Sequence, residues 1–433
     1  MIYFIIIFLL LTLIVSIFLE KRVENPITIF SGIWLLTIFL SSLKLYNMID
    51  YSEKAVRLIS IGLIAFIVAA FLCRIISMKK KGHIEKHEKN CNEIINNKFM
   101  FILVTVGLIM VLALSIRVII LLKSGTNYNT IRALYYSYGK ESLIDNEKIF
   151  TIFDWTMSLI ISLTIPTIIV GIINKKVNKI LIIESMVMII LYVFSTTGRM
   201  PLILIVIQLV LEMLLNKEKL NENVKKFSKI VIVLMTICIL SLTIIRSSNQ
   251  KNDKVNSIYA YFSLPLPYFS QMIDVIDKQE VNTNGVATAY GPYLLVQKTV
   301  KMITGYKFSN SEDLAKKVTK PQTYWVRIFM DSTDYYNAYA TMFYNFYLDY
   351  KEIGIIVFSF IYGIIVERIY ISAISKKTMK INIVYLIIIT GLIQSFAIWQ
   401  FSSPTILIAL VLINLLIKKE KINSGKNINI WND

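Results

Sequence analysis

Long apolar segments recur along almost the whole chain, and they limit its possible folds more than any other feature of the sequence. A helix needs roughly 17–25 apolar residues to cross the ~30 Å hydrocarbon core of a bilayer. The sequence contains eleven segments of about this length, of which the seventh and the eleventh are the shortest. The pattern therefore predicts an all-α polytopic membrane protein with about eleven transmembrane helices. The eleven segments are residues 2–19, 27–45, 58–77, 99–122, 150–173, 180–196, 201–215, 228–246, 353–371, 381–400 and 403–417.

The distribution of charge supports this interpretation and predicts an orientation. Only 17% of the 433 residues are charged, yet the formal net charge is +18. The lysines and arginines cluster in alternate loops between the apolar segments, a pattern that argues against a nucleic-acid-binding groove. Because loops rich in Lys and Arg stay in the cytoplasm, we expect the N-terminus outside and the C-terminus inside. The basic clusters are residues 21–22, 78–89, 174–179, 216–229, 375–380 and 418–421.

This topology divides the chain into three parts. Residues 1–246 are expected to form the first eight transmembrane helices, 247–352 a large extracytoplasmic loop, and 353–433 the last three helices and a cytoplasmic tail. The loop is rich in tyrosine, and segments 256–277 and 313–330 have the pattern of short amphipathic helices with aromatic faces. So large an ordered loop on the outer side favours a function at the outer face of the membrane.

An arginine lies at the tip of one predicted external hairpin. In the sequence STTGRMPLI, residues 195–203, Arg199 separates two apolar segments, and Pro201 suits the first turn of the second helix. The free N–H groups of a helix N-terminus and a guanidinium group together can bind an anion. The alternative is that Arg199 only reaches toward lipid headgroups.

Four further arginines are predicted on or near the outer side. Arg246 ends the eighth apolar segment, Arg132 lies in the first large outer loop, and Arg327 lies in the second. Arg117 lies inside the fourth apolar segment, where a charge is costly unless it faces a polar interior or extends to the interface. Several outward arginines predict an anionic substrate that is reached from the outer leaflet.

Carboxylates and tyrosines alternate in residues 331–354, just before the ninth apolar segment. Asp331, Asp334 and Asp349 lie among aromatic residues that can stack on sugar rings. Carboxylates orient hydroxyl groups and can act as general bases. The alternative interpretation is an aromatic belt at the membrane interface with solvated acids.

Three sequence blocks resemble the Wzy-type polymerases of bacterial O-antigen and capsular polysaccharide. STTGRMPLI resembles the hairpin of that family. The start of that family's large external loop is similar to YAYFSLPLPYF followed by NTNGVATAYGPYLLVQKTVKMITGY. The end of the loop is similar to NAYATMFYNFYLDYKEIG. The likeness covers about residues 190–365. Leu264 and Lys351 stand where the family would have glycine, and Ala340 where it would have threonine.

The resemblance implies a glycosyltransferase of the bacterial cytoplasmic membrane, for which a GT-C-like architecture is a possible layout. Such enzymes transfer a growing chain from undecaprenyl pyrophosphate onto a new lipid-linked repeat unit. Arg199, Arg246 and Arg327 would stabilise the leaving pyrophosphate, and a base would come from Asp331, Asp334 or Asp349. The remaining candidates, assigned to substrate binding, are Arg117, Arg132, Tyr261, Tyr336, Asn337 and Tyr339.

The resemblance implies the lipid-linked donor and acceptor, membrane lipid and a chain-length regulator as partners; no nucleic acid, cofactor or metal is expected. His83 and His87 have the i,i+4 spacing of a metal-binding pair, but the surrounding lysines favour a solvated linker. Two alternative functions stay open. A flippase or other transporter of lipid-linked oligosaccharide would also need cations, spread over several depths of a cavity, whereas an O-antigen ligase would use the same donor with another acceptor.

Overall fold

The residues that the structure describes fold mostly into α-helices. The computed structural model describes residues 1–80, 91–136, 142–247, 257–279, 281–306, 308, 310–337 and 339–421. The helices within these residues are α1 (Ile2–Glu20), α2 (Pro26–Ser42), α3 (Glu53–Lys80), α4 (Asn97–Lys123), α5 (Tyr128–Tyr136), α6 (Glu147–Ile173), α7 (Lys179–Thr196), α8 (Met200–Leu215), α9 (Glu222–Ser247), α10 (Ser257–Ser263), α11 (Pro265–Lys278), α12 (Tyr290–Thr304), α13 (Ser311–Thr323), α14 (Phe343–Lys376), α15 (Met379–Ile393) and α16 (Pro404–Leu416).

The apolar helices agree with a membrane protein. Seven helices of the described residues are long and apolar enough to cross a membrane, namely α1, α3, α4, α6, α7, α14 and α15 with its short extension to Phe396. Helices α2, α8 and α16 are apolar but shorter, and α9 covers the eighth predicted segment. The prediction of an all-α membrane protein is confirmed, while the number of eleven spans and their orientation stay predictions.

Two short strands lie where the sequence suggested only basic loops. Strand β1 (Cys91–Ile95) pairs antiparallel with β2 (Ile417–Lys421), with Ile95 opposite Ile417 and Cys91 opposite Lys421. Because β1 leads directly into α4 and β2 follows directly from α16, the pair joins the ends of these two helices. His83 and His87 lie outside the described residues.

Helices α3 and α14 pack closely, and a buried ion cluster ties them to α1. A Cβ atom at Gly363 would lie 2.5 Å from the backbone oxygen of Phe66, so only glycine allows this approach. One turn further along α14, Glu367 lies 2.7 Å from Arg74, which also lies 2.6 Å from Glu20. Arg74 and Glu367 are nearly or fully buried, so the charges are retained there by mutual pairing.

Helix α14 bends where the resemblance leads one to expect glycine. Lys351 has φ 52° and ψ −131°, a conformation that glycine adopts far more readily than lysine. Its Nζ atom lies 3.4 Å from Asp277 Oδ1 and 5.0 Å from the centroid of the Tyr347 ring. These contacts hold the lysine in place. By contrast, Leu264 has ordinary helical angles and is buried between α10 and α11, so nothing in its backbone requires glycine.

The structure between α9 and α14 agrees with one predicted amphipathic segment and corrects the other. Segment 256–277 contains α10 and α11, but the helix predicted over 313–330 ends at Thr323. Beyond it the chain is extended: Ile49 N donates to Ile328 O over 2.9 Å, and Val326 and Tyr336 exchange two backbone hydrogen bonds. Residues 324–330 are rich in aromatic and β-branched side chains, which favour extended backbone.

Candidate functional site

The hairpin between α7 and α8 places Arg199 directly at a helix N-terminus. Helix α7 ends at Thr196, Thr197 turns the chain with φ 54°, and Arg199 is the residue before the first turn of α8. Pro201 lies within that first turn, and no side chain caps it. Since the first N–H groups of a helix have no partner inside the helix, this end of α8 can donate hydrogen bonds to the oxygen atoms of an anion.

Arg199 contacts an aromatic pair from two distant parts of the chain. Its Nη2 atom donates to Tyr261 Oη on α10 over 3.2 Å, and its guanidinium lies 5.7 Å from the centroid of the same ring. The Tyr261 ring in turn packs edge-on against Tyr339, with 5.8 Å between centroids. Residues 62 and 140 positions away in sequence therefore surround the hairpin tip.

The charge of a second arginine, Arg132, reaches Tyr339 of this pair. Burial raises the pKa of Tyr339, the neighbouring Tyr261 raises it further, and the positive charges of Arg132 and Arg199 oppose the rise. Both guanidinium groups are thus close enough to Tyr339 to influence its ionisation. Arg132 comes from α5 and lies 5.3 Å from the ring centroid of Tyr136. We call Arg132, Arg199, Tyr261 and Tyr339 the arginine–tyrosine cluster; all four were candidate residues from the sequence.

A carboxylate that the sequence analysis missed lies next to this region. Tyr135 of α5 is buried over α6, with its ring 5.4 Å from Phe150. Burial raises the pKa of Tyr135, and its neighbours Tyr192 and Asp154 raise it further. The Tyr135 hydroxyl is close to both but is not aligned for a hydrogen bond with any described residue. Asp154 could have been found, because it is the single charged residue of the apolar segment 150–173.

The candidate residues between positions 327 and 337 make contacts that support the local structure. Arg327 donates from Nε to Ser332 O and from Nη2 to Met330 O, both over 2.8 Å, so it braces its own turn. Asp331 accepts from Asn47 Nδ2 over 2.8 Å, and the backbone N–H of Asp334 donates to Ser332 Oγ. The two remaining candidates here are Tyr336, whose ring packs on Phe329, and Asn337, which donates to Gln322 O.

Asp349 was a candidate base, but its contacts are those of a structural residue. Its side chain is fully buried. Oδ1 accepts from Thr283 Oγ1 over 2.6 Å and from Ala287 N over 2.9 Å, and Oδ2 accepts from Thr288 N over 2.7 Å. The carboxylate therefore fixes the turn 283–288 onto the start of α14.

The last two candidates lie on the apolar helices α4 and α9. The Arg117 side chain is 45% exposed and pairs with Asp145 over 2.9 Å, so it extends to the loop that contains Asp145 instead of facing a polar interior. Arg246 belongs to the last turn of α9, and its side chain lies outside the described part of the chain.

The assembled features are two guanidinium groups, an uncapped helix N-terminus, two tyrosine rings and a nearby carboxylate. One guanidinium group can donate two parallel hydrogen bonds to the oxygens of a phosphate, and aromatic faces can stack on sugar rings. The cluster can therefore bind a ligand that carries both an anionic group and a sugar. No family model, no curated protein and no solved structure matches the chain.

Proposed function

We propose that the chain polymerises lipid-linked oligosaccharide repeat units at the outer face of a bacterial cytoplasmic membrane. The observation that carries this proposal is the contact of Arg199, at the first turn of α8, with Tyr261, whose ring packs on Tyr339. The positive charge of Arg132, on a separate helix, also reaches Tyr339. The donor and the acceptor would both be repeat units on undecaprenyl pyrophosphate. A ligand that combines pyrophosphate with a sugar would use the cations and the aromatic rings of this cluster together.

In the proposed reaction, an acceptor hydroxyl attacks the anomeric carbon of the growing chain. A new C–O bond forms, and the bond from that carbon to the pyrophosphate oxygen breaks, so the electron pair leaves with lipid pyrophosphate. Arg199, Arg132 and the N-terminus of α8 would stabilise the charge that grows on the leaving group. The hydroxyl proton must pass to a base as the bond forms.

We assign the role of base to Asp154. Of the three carboxylates suggested by the sequence, Asp349 is bonded on both oxygens, while Asp331 contacts Asn47 and Asp334 lies beside Ser332. Asp154 lies instead beside Tyr135 of α5, the helix of Arg132, and Tyr192 of α7, the helix that leads to Arg199.

Asp154→Asn is expected to lower the rate of chain extension roughly 10²–10⁴-fold, the usual contribution of a general base. The rate is measured with purified protein and lipid-linked units, and Glu147→Gln, an exposed acid at the start of the same helix, serves as the control. Tyr135→Phe removes the adjacent hydroxyl but keeps the carboxylate. If Asp154→Asn and Tyr135→Phe cause the same small loss, Asp154 only positions α5 and the assignment is wrong.

The proposed function as a whole is tested by deleting the gene from its source organism. A polymerase mutant should keep surface glycan of a single repeat unit and lose the ladder of longer chains on a gel, and it should accumulate lipid-linked single units. Loss of all surface-attached glycan would instead indicate a ligase or a flippase. An unchanged ladder would show that the chain does not act on this material.

A further inference from the structure

A cavity of about 90 Å³ lies beside the arginine–tyrosine cluster, between α12, α13, the start of α14 and the connection from α15 to α16. One water needs roughly 10–15 Å³ of such space, so the cavity can hold a larger group. Ala340 and Thr341 line it, and they directly follow Tyr339 of the cluster. Two residues of extended chain span at most about 7 Å, so the two features are neighbours.

The wall of this cavity combines aromatic rings with polar groups. Tyr290, Tyr344 and Trp399 supply the rings, and all three are nearly buried. Trp399 Nε1 donates to Thr288 O and Tyr344 Oη donates to Lys317 O, so hydrogen bonds fix both side chains in place. A rigid aromatic wall needs little ordering when a ligand binds.

Two amides provide hydrogen-bonding groups. The Asn345 side chain is 5% exposed, and its Nδ2 donates to Ala287 O over 2.9 Å. No described residue donates to its Oδ1, which is left to accept from a ligand. Gln322 lies at the rim with an exposed side chain. Amide groups beside aromatic rings are the combination that binds sugar hydroxyls and the apolar face of a sugar ring.

The backbone at the cavity is held in an unusual conformation. Thr341 has φ 66°, which a β-branched residue rarely adopts. Its N–H donates to Ala397 O, and the next N–H, that of Met342, donates to Ser395 O. Both acceptors belong to the connection between α15 and α16. The cavity wall is therefore built by joining two distant parts of the chain, and such imposed conformations occur at ligand-binding positions.

We infer that this cavity binds one sugar ring of the lipid-linked oligosaccharide while the arginine–tyrosine cluster binds its pyrophosphate. The inference rests on the proposed function and adds where the sugar specificity resides. Pyrophosphate and sugar are adjacent in the substrate, as the cluster and the cavity are adjacent in the protein.

The experiment uses the full-length protein in lipid nanodiscs and the lipid-linked units extracted from the deletion strain. Gln322→Ala removes one amide at the rim and should raise KM about three- to tenfold, the effect of one lost hydrogen bond, with kcat little changed. Ala340→Leu fills the cavity and should raise KM more than tenfold. Gln279→Ala, an exposed glutamine outside the cavity lining, should keep the KM of the unaltered protein.

The outcomes separate the two proposals. If the unaltered protein extends the units but Gln322→Ala and a correctly folded Ala340→Leu protein both keep its KM, the cavity does not bind sugar and the inference is wrong. If Ala340→Leu does not fold, Gln322→Ala alone decides. If the unaltered protein does not extend the units, the proposed function fails, and the sugar site with it.

Discussion

Arg199→Ala is expected to reduce polymerisation roughly 10²–10³-fold, which corresponds to ~3–4 kcal/mol of transition-state stabilisation. The guanidinium lies at the tip of the α7–α8 hairpin, next to the uncapped first turn of α8 and 3.2 Å from the Tyr261 hydroxyl. In the proposed reaction, its removal takes away one of the preorganised partners of the charge on the departing pyrophosphate. The measurement is the initial rate of chain extension by purified protein, with the glycan ladder in cells as a second readout.

Arg199→Lys refines this test. Lysine keeps the positive charge but loses the planar pair of donors and the contact with the aromatic face, so an intermediate loss of rate is expected. Arg132→Ala should also slow the reaction, since Arg132 acts on the same Tyr339. Lys278→Ala removes an exposed cation of helix α11 and is the matched control.

Folding must be shown to be intact for these variants. Arg199 is partly exposed at a hairpin tip and is not part of the apolar core, so the abundance of Arg199→Ala in membranes should equal that of the unaltered protein. A full-length ladder and a normal rate in Arg199→Ala would identify the residue as an anchor to lipid headgroups. The anion site would then have to be sought elsewhere.

The apolar segments predicted most of the helices because hydrophobicity over some twenty residues is a strong local signal. The positions of the helix ends and the structure of the loop predicted over 247–352 were less predictable. Lys351 is an example: its φ of 52° depends on contacts with Asp277 and Tyr347, 74 and four residues away. The extended backbone after Thr323 depends likewise on pairing with residues 47–49, which the local sequence does not reveal.

The candidate site was predictable in residue type but not in grouping. The arginines could be recognised because cations are disfavoured on the outer side of membrane proteins. Which of them meet was not evident, because Arg132, Arg199, Tyr261 and Tyr339 come from four separate elements. The surroundings of the acids were not evident from the sequence either. Sequence shows that Asp349 is near tyrosines, but only the structure shows three donors around it.

Asp349 gives the second large effect, and here the expected loss is one of stability. Asp349→Ala leaves Thr283 Oγ1 and the N–H groups of Ala287 and Thr288 without their acceptor. Each buried donor left unsatisfied costs roughly 1–3 kcal/mol, so a total loss on the order of 3 kcal/mol or more is expected. Thermal denaturation of the detergent-solubilised protein, followed by size-exclusion chromatography, measures it.

Asp349→Asn separates the structural role from a catalytic one. The amide keeps one acceptor oxygen, but its NH₂ group faces a backbone donor, so a smaller loss of thermal stability and of membrane abundance is expected. Asp331→Ala, which removes an exposed acid with one contact to Asn47, should be nearly neutral. A base at Asp349 requires the reverse result: Asp349→Asn protein with unchanged thermal stability and abundance but no chain extension. That result would return the proton-accepting role from Asp154 to Asp349, because a carboxylate needed only to hold the 283–288 turn cannot be replaced by an amide without a loss of stability.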